Sequence, residues 1–157
     1  MDKILTCCFI GHRKLPKERI AHIIERLDRE VENLIDQGVT TFISGGALGF
    51  DQVATSLIIA KREMGREIRL IFALPYKNQE EPWIPEQREL YRNLLAEADD
   101  VIYVSKEYQD GCMEKRNRYM VDHSAYCICA RLHPFSETDQ TVKYAEQEGL
   151  KVINVAE

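Results

Sequence analysis

The chain has 157 residues, 45% of them hydrophobic and 30% charged, which excludes a disordered chain and leaves enough apolar material for one sizeable buried core. Its 21 basic and 26 acidic residues give a formal net charge of −5, which argues against a protein that coats nucleic acid, because neutralising phosphates takes a basic surface. No apolar run approaches the ~20 residues that span a bilayer, and "ILTCCFI" is short and runs directly into "GHR", so neither membrane nor signal peptide is expected and the cytoplasm is the default.

Residues 3–10, "KILTCCFI", read as a first strand closed by "GHRKLP". From Lys17 the period changes: Ile20, Ile23, Ile24, Leu27, Val31, Leu34 and Ile35 fall on one helical stripe that stops at Gly38. "VTTFIS" (39–44) is a second strand, followed by a helix that buries Phe50, Val53, Ala54, Leu57 and Ile58 and ends near Gly65. "EIRLIFALP" (67–75) is a third strand, and the Pro-rich "YKNQEEPWIP" leads to a helix from about Gln87. "DVIYVS" (100–105) is a fourth strand, and "KEYQDG" precedes a helix with Met113, Arg116, Asn117, Met120 and Val121. "AYCICA" (125–130) is a fifth strand, a last helix covers about 139–148, and "KVINVA" forms a short sixth strand.

Strand and helix alternate with no repeat, linker or low-complexity tract, so residues 1–157 read as a single domain. Strands apolar on both faces, each followed by an amphipathic helix, predict an α/β fold: a doubly wound, mostly parallel, Rossmann-like sheet with helices on both faces. Ligands of such sheets bind beyond the carboxyl ends of the strands, where strand order reverses. That directs attention to "GHRKLP", "GGALGFD", "PYKNQEEPW", "SKEYQDG" and "ARLHPFSETD".

Gly45, Gly46 and Gly49 in "GGALGFD" carry two readings. Glycines before a helix start expose amides that favour a phosphate, and tight strand-to-helix turns also use glycine. The spacing is neither GxGxxG nor a Walker loop. In "GHR", Arg13 is either a bidentate phosphate ligand or a solvated cation, and His12 a donor, an acid or base, or a cap. Arg116 reaches an anion and Asn117 a base or ribose, or both belong to a solvated helix, as Arg118 does. Trp83, with Tyr76, Gln87 and Arg88, either stacks on a base or covers the core edge. The five cysteines, Cys7, Cys8, Cys112, Cys127 and Cys129, read as buried reduced thiols, and no metal-ligand spacing is present.

"FIGHR", "SGGALGFDQVA", "LPY" and "KRNRYMVDHS" together, spread over nearly the whole chain, resemble YpsA-like members of the SLOG superfamily. That group also holds the DNA-processing protein DprA (Smf) and the Lonely-guy enzymes. The resemblance implies a pocket for a nucleotide or nucleotide-derived ligand, with Gly11, Arg13, Gly45, Gly46, Gly49 and Asp51 lining it and Arg116 and Asn117 nearby. A carboxylate beside a phosphate repels it, so Asp51 is read as a helix cap or a partner of a ribose hydroxyl.

Two departures shape the expectation. The PGGxGTxxE segment of Lonely-guy enzymes and the Gly-Gly-Thr of YpsA-like proteins are replaced by "LHPFSETDQTV", which leaves Thr138 and Thr141 as polar substitutes and weakens phosphoribohydrolase chemistry. The acidic balance likewise weakens the single-stranded DNA binding of DprA. The function expected is therefore a sensor or carrier for a small nucleotide-like ligand. A nucleotide N-glycosidase is the alternative and a DNA- or protein-interaction domain ranks third. Catalytic residues are not assigned, no cofactor or metal is expected, and self-association is left open.

Overall fold

The computed structural model describes residues 1–157, in which six strands alternate with five α-helices. In chain order they are β1 (Thr6–Gly11), α1 (Lys17–Asp36), β2 (Thr41–Ser44), α2 (Phe50–Glu63), β3 (Arg69–Leu74) and α3 (Pro85–Ala96). There follow β4 (Asp100–Tyr103), α4 (Cys112–Asp122), β5 (Tyr126–Ala130), α5 (Glu137–Gln147) and β6 (Lys151–Asn154). All strands run parallel in the order β4-β3-β2-β1-β5-β6, with helices on both faces, which is the expected doubly wound fold.

Boundaries move for local reasons. Asp2 takes the Ile4 amide on its side chain at 3.3 Å and the Leu5 amide on its carbonyl at 3.1 Å, winding Lys3–Leu5 into a 3-10 turn, so β1 starts at Thr6 and not at residue 3. Helix α3 begins at Pro85, because a proline loses nothing at the first helical position. Helix α5 begins at Glu137, because the Ser136 hydroxyl accepts the Asp139 amide at 3.0 Å.

Side chains alternate across the sheet and so build two cores. Phe9, Phe42, Leu70 and Phe72 face Ile23, Leu27, Phe50 and Tyr91 on the side of α1, α2 and α3. Cys8, Ile43, Ala73, Cys127 and Cys129 face the other way, under Met120 and Val121 of α4 and Val142 and Ala145 of α5. Ile10, Ile43 and Ile71 share that second face with the three cysteines and the alanine. All five cysteines are free and buried. Burial pushes the Cys7 thiol well above its ordinary range, and hydrogen bonding with Cys129 and Cys8, then burial, does the same for Cys127, so both pack as small apolar groups. No helix is long and apolar enough to cross a membrane.

From the central β1 the chain moves outward through β2, β3 and β4, then returns to pair β5 with the opposite edge of β1. The loops leaving β1 and β5 therefore diverge, and a crevice opens between them.

Candidate functional site

At that reversal lies a cleft of about 240 Å³. Six of the expected residues line it: Gly11, His12 and Arg13 at the end of β1, Asp51 at the start of α2, and Arg116 and Asn117 on α4. Ala47 from the glycine loop and residues 136–138 around the first turn of α5 complete the wall.

Gly45, Gly46 and Gly49 are not part of that wall, and each makes room for a protein group. A Cβ on Gly45 would meet the Arg116 guanidinium at 2.6 Å. Gly46, at φ +69, lies under the Tyr91 and Phe72 rings, 3.0 and 3.2 Å from where its Cβ would be. A Cβ on Gly49, at φ +83, would strike the His12 and Arg13 carbonyls, and one on Gly11 the Phe50 ring. Two loop amides are also taken up internally, Gly46 N–H by Ser44 Oγ at 3.1 Å and Ala47 N–H by Asp51 Oδ2 at 3.3 Å. At the start of α2 the Phe50 amide donates to the His12 carbonyl at 3.0 Å, tying the loops after β1 and β2 together.

Behind this loop stands a buried cation. Arg116 is 4% exposed and donates from Nη1 to the Gly45 carbonyl at 2.7 Å and from Nε to Asn117 Oδ1 at 2.9 Å. Asn117 in turn donates to Thr141 Oγ1 at 3.3 Å, so its amide orients Arg116 and ties α4 to α5. Gln79 Nε2 reaches the same Gly45 carbonyl at 3.1 Å, a contact with no sequence signal. Burial lowers the pKa of Arg116, while the nearby Asp51 carboxylate opposes that shift. Asp51 is 6% exposed, and burial pushes its pKa up to about 6 against the pull of Arg116, the Ala47 amide and Arg13.

On the other wall, the Leu132 amide donates to His12 Nε2 at 3.0 Å, which makes Nε2 an acceptor and leaves the ring proton on Nδ1. Burial, then the neighbouring His133 ring 4.9 Å away, lowers the pKa of His12 and favours its neutral form. Arg13 is exposed at the mouth of the cleft and forms no ion pair within the protein. In the third-strand loop, Trp83 sits edge-on against Tyr91 at 5.3 Å and covers the core, with Arg88 bonded to its carbonyl, while Tyr76 packs edge-on against Tyr108 at 5.6 Å. Arg118 is exposed and pairs with Glu114 at 3.2 Å.

The YpsA profile, described as the YspA SLOG family, matches residues 10–155. The chain belongs to this SLOG family. Among relatives, the uncharacterised SPbeta prophage-derived protein YoqJ of Bacillus subtilis is 29% identical over 143 residues, which cover 83% of this chain and 80% of that one. DNA processing protein A of Helicobacter pylori, whose structure describes a single-stranded DNA binding mode, superimposes with a TM-score of 0.67 at 18% identity. That match covers 96% of this chain and 64% of the other. The Streptococcus pneumoniae protein gives 0.63 at 15%, covering 95% of this chain and 49% of that one. This SLOG chain thus spans about half to two thirds of those DprA chains, and likeness at such identity is one of fold.

Where other SLOG proteins of this type are expected to carry Gly-Gly-Thr, this one builds the cleft wall from a helix start. Thr138 lines the cleft, while Thr141 bonds the Glu137 carbonyl at 3.0 Å and supports Asn117. Ser136 and Glu137 went unassigned in the sequence, although Ser136 and Asp139 stand at the spacing of a helix-capping pair. The amides of Glu137 and Thr138, in the first turn of α5, have no partner within the protein.

The buried carboxylate has a measurable consequence. Between pH 3.8 and about 6 the folded protein holds a proton on Asp51 that the unfolded chain has released. Stability from this group is complete below pH 3.8 and falls as pH rises to about 6, by on the order of 3 kcal/mol at roughly 1.4 kcal/mol per pH unit. Asp51→Asn, with the same shape and no charge, is expected to gain that amount relative to the parent between pH 4 and pH 7.5. Urea denaturation at a series of pH values checks it, and parallel profiles for the two proteins would contradict the assignment.

Proposed function

We propose that this chain is a cytosolic binding module, a sensor or carrier, for a nucleotide or nucleotide-derived phosphorylated small molecule. The observation that carries the reading is Arg13: a guanidinium without an ion-pair partner, lining a cleft at the strand-order reversal that the first turn of α5 also lines. An exposed arginine fork suits phosphate, and unbonded helix-start amides add partial positive charge. The phosphate is assigned to Arg13 and the start of α5 rather than to the glycine-loop amides, two of which are occupied. Family membership supports a nucleotide-type ligand without identifying it.

Isothermal titration with adenosine 5′-monophosphate and with ribose 5-phosphate tests this. Both are expected to bind the parent, and Arg13→Ala is expected to weaken both by roughly 10- to 150-fold while leaving the melting temperature unchanged. Arg13 is exposed and holds nothing together, so a folding defect would not account for the loss. Indifference of both affinities to Arg13→Ala would defeat the reading.

A second reading, nucleotide N-glycosidase, is favoured by one feature: the cleft holds a buried carboxylate, Asp51, that titrates near pH 6, where a group can both give and take a proton. Release of free adenine from adenosine 5′-monophosphate, abolished by Asp51→Asn, would establish it over simple binding.

A further inference from the structure

An anion accounts for Arg13, but not for the two charged groups deeper in the cleft. Asp51 and Arg116 both line it yet are only 6% and 4% exposed, so they form its floor, whereas Arg13 is exposed. Asp51 Oδ2 accepts the Ala47 amide at 3.3 Å. Its other oxygen, Oδ1, takes no hydrogen bond within the protein and is not one of the polar atoms sealed from solvent, so it opens on the cleft. Arg116 commits Nη1 to the Gly45 carbonyl and Nε to Asn117, and its Nη2 meets the Met113 sulfur at 3.9 Å, a weak acceptor. The floor thus offers one free carboxylate oxygen beside one guanidinium nitrogen that has no oxygen partner.

The chemistry of that pair narrows what can sit on it. The two charges offset one another, which leaves no surplus on the floor for a phosphate and leaves the anion to Arg13. An ionised carboxylate only accepts and a guanidinium only donates, so a group that does both, a hydroxyl, suits the two together. A nucleobase finds less there: the one phenyl ring in the lining, Phe9, is wholly buried and stacked on Phe42 at 5.7 Å. In a 5′-nucleotide the base and the phosphate arm sit on the carbons that flank the ring oxygen. The 2′,3′-diol edge lies opposite both, so it is the edge slim enough to reach the floor while the phosphate stays at the mouth.

We propose that Asp51 and Arg116 read the sugar of the ligand: Asp51 Oδ1 accepts a hydrogen bond from the 2′,3′-diol of a ribose and Arg116 Nη2 donates one to it, with the phosphate held at Arg13. This deepens the nucleotide-binding reading and rests on it. It narrows the ligand to ribonucleotides, because a sugar without the diol leaves a buried carboxylate oxygen with no donor. It also sets the site against a DNA strand, in which the 2′-hydroxyl is missing and the 3′-oxygen is esterified.

Isothermal titration at pH 8, above the Asp51 pKa of about 6, compares adenosine 5′-monophosphate with 2′,3′-dideoxyadenosine 5′-monophosphate on the parent, Asp51→Asn and Arg13→Ala. The parent is expected to favour the ribonucleotide by roughly 10- to 150-fold, the worth of a hydrogen bond to a charged group. In Asp51→Asn the amide oxygen stays on the Ala47 N–H and the NH2 group turns to the cleft. A donor then replaces the acceptor beside Arg116, and the preference is expected to be lost. That variant keeps the shape of the parent and is expected to melt no lower, so misfolding would not account for the change. Arg13→Ala is expected to weaken both nucleotides alike and to keep the preference. Equal or inverted affinities in the parent, or a preference undiminished in Asp51→Asn, overturn the sugar site. If adenosine 5′-monophosphate still depends on Arg13 in that event, the phosphate reading survives alone. If neither nucleotide binds the parent, both fall.

Discussion

Replacing Arg116 with methionine is expected to destabilise the protein by about 3–5 kcal/mol at pH 8, the cost of breaking a buried charge arrangement from one side. Methionine fills much of the space, but the Asn117 carbonyl loses its donor and Asp51 loses the stronger of its two compensating charges. The Gly45 carbonyl keeps Gln79, which limits the damage at that point. A chain of this length should melt on the order of 10 °C lower, measured by calorimetry or urea denaturation. The loss should be steeper above pH 6, because Asp51 ionises there with less to offset it. Adding Asp51→Asn removes the stranded charge, so the double variant should recover part of the loss and show a favourable coupling of about 1–3 kcal/mol. Simple additivity would mean that Arg116 and Asp51 do not sense one another. Arg116→Lys should not rescue, since an ammonium lacks the planar fork that spans Gly45 and Asn117.

The second large effect is at Gly49. At φ +83 an alanine there is strained, and its Cβ would meet the backbone carbonyls of His12 and Arg13, which cannot swing aside as a flexible side chain does. Backbone strain and overpacking together are expected to cost about 2–6 kcal/mol. Gly65 is the control: its φ is +100 but no atom lies within 4 Å of its Cβ position, so Gly65→Ala carries the conformational cost alone, about 1 kcal/mol. A Gly49→Ala variant no less stable than Gly65→Ala would refute the close-approach account. Because the same carbonyls precede and include Arg13, any variant that folds should also bind ribose 5-phosphate more weakly. Gly46→Val belongs to the same class, since its Cβ faces two core rings, and it should perturb the fold as well as any ligand.

Much of the site was legible before any coordinates. Arg13, His12, Asp51, Arg116 and Asn117 stand in loops or helix starts that follow strands, and a parallel sheet brings all such positions to one end. What those residues do there was less legible. Arg116 reads in sequence as either an anion ligand or a solvated helix cation, and the structure buries it almost wholly, because its partners, Gly45 and Ala73, lie 71 and 43 residues away. Ser136 and Glu137 carry little sequence signal, because the cap of α5 is a short polar pattern without an apolar stripe at that point.

By itself, the amino-acid order determined what depends on near neighbours along the chain: the alternation of strand and helix, the apolar stripes, the parallel sheet that follows from them, and family membership through its motifs. Only the tertiary structure decided which side of β1 the returning strand joins, which glycines admit protein groups, and which of two arginines is buried and which faces solvent. The reason is the range of the forces. Periodicity and turn preference act over a few residues, whereas burial, desolvation and carbonyl pairing depend on groups brought together from distant segments.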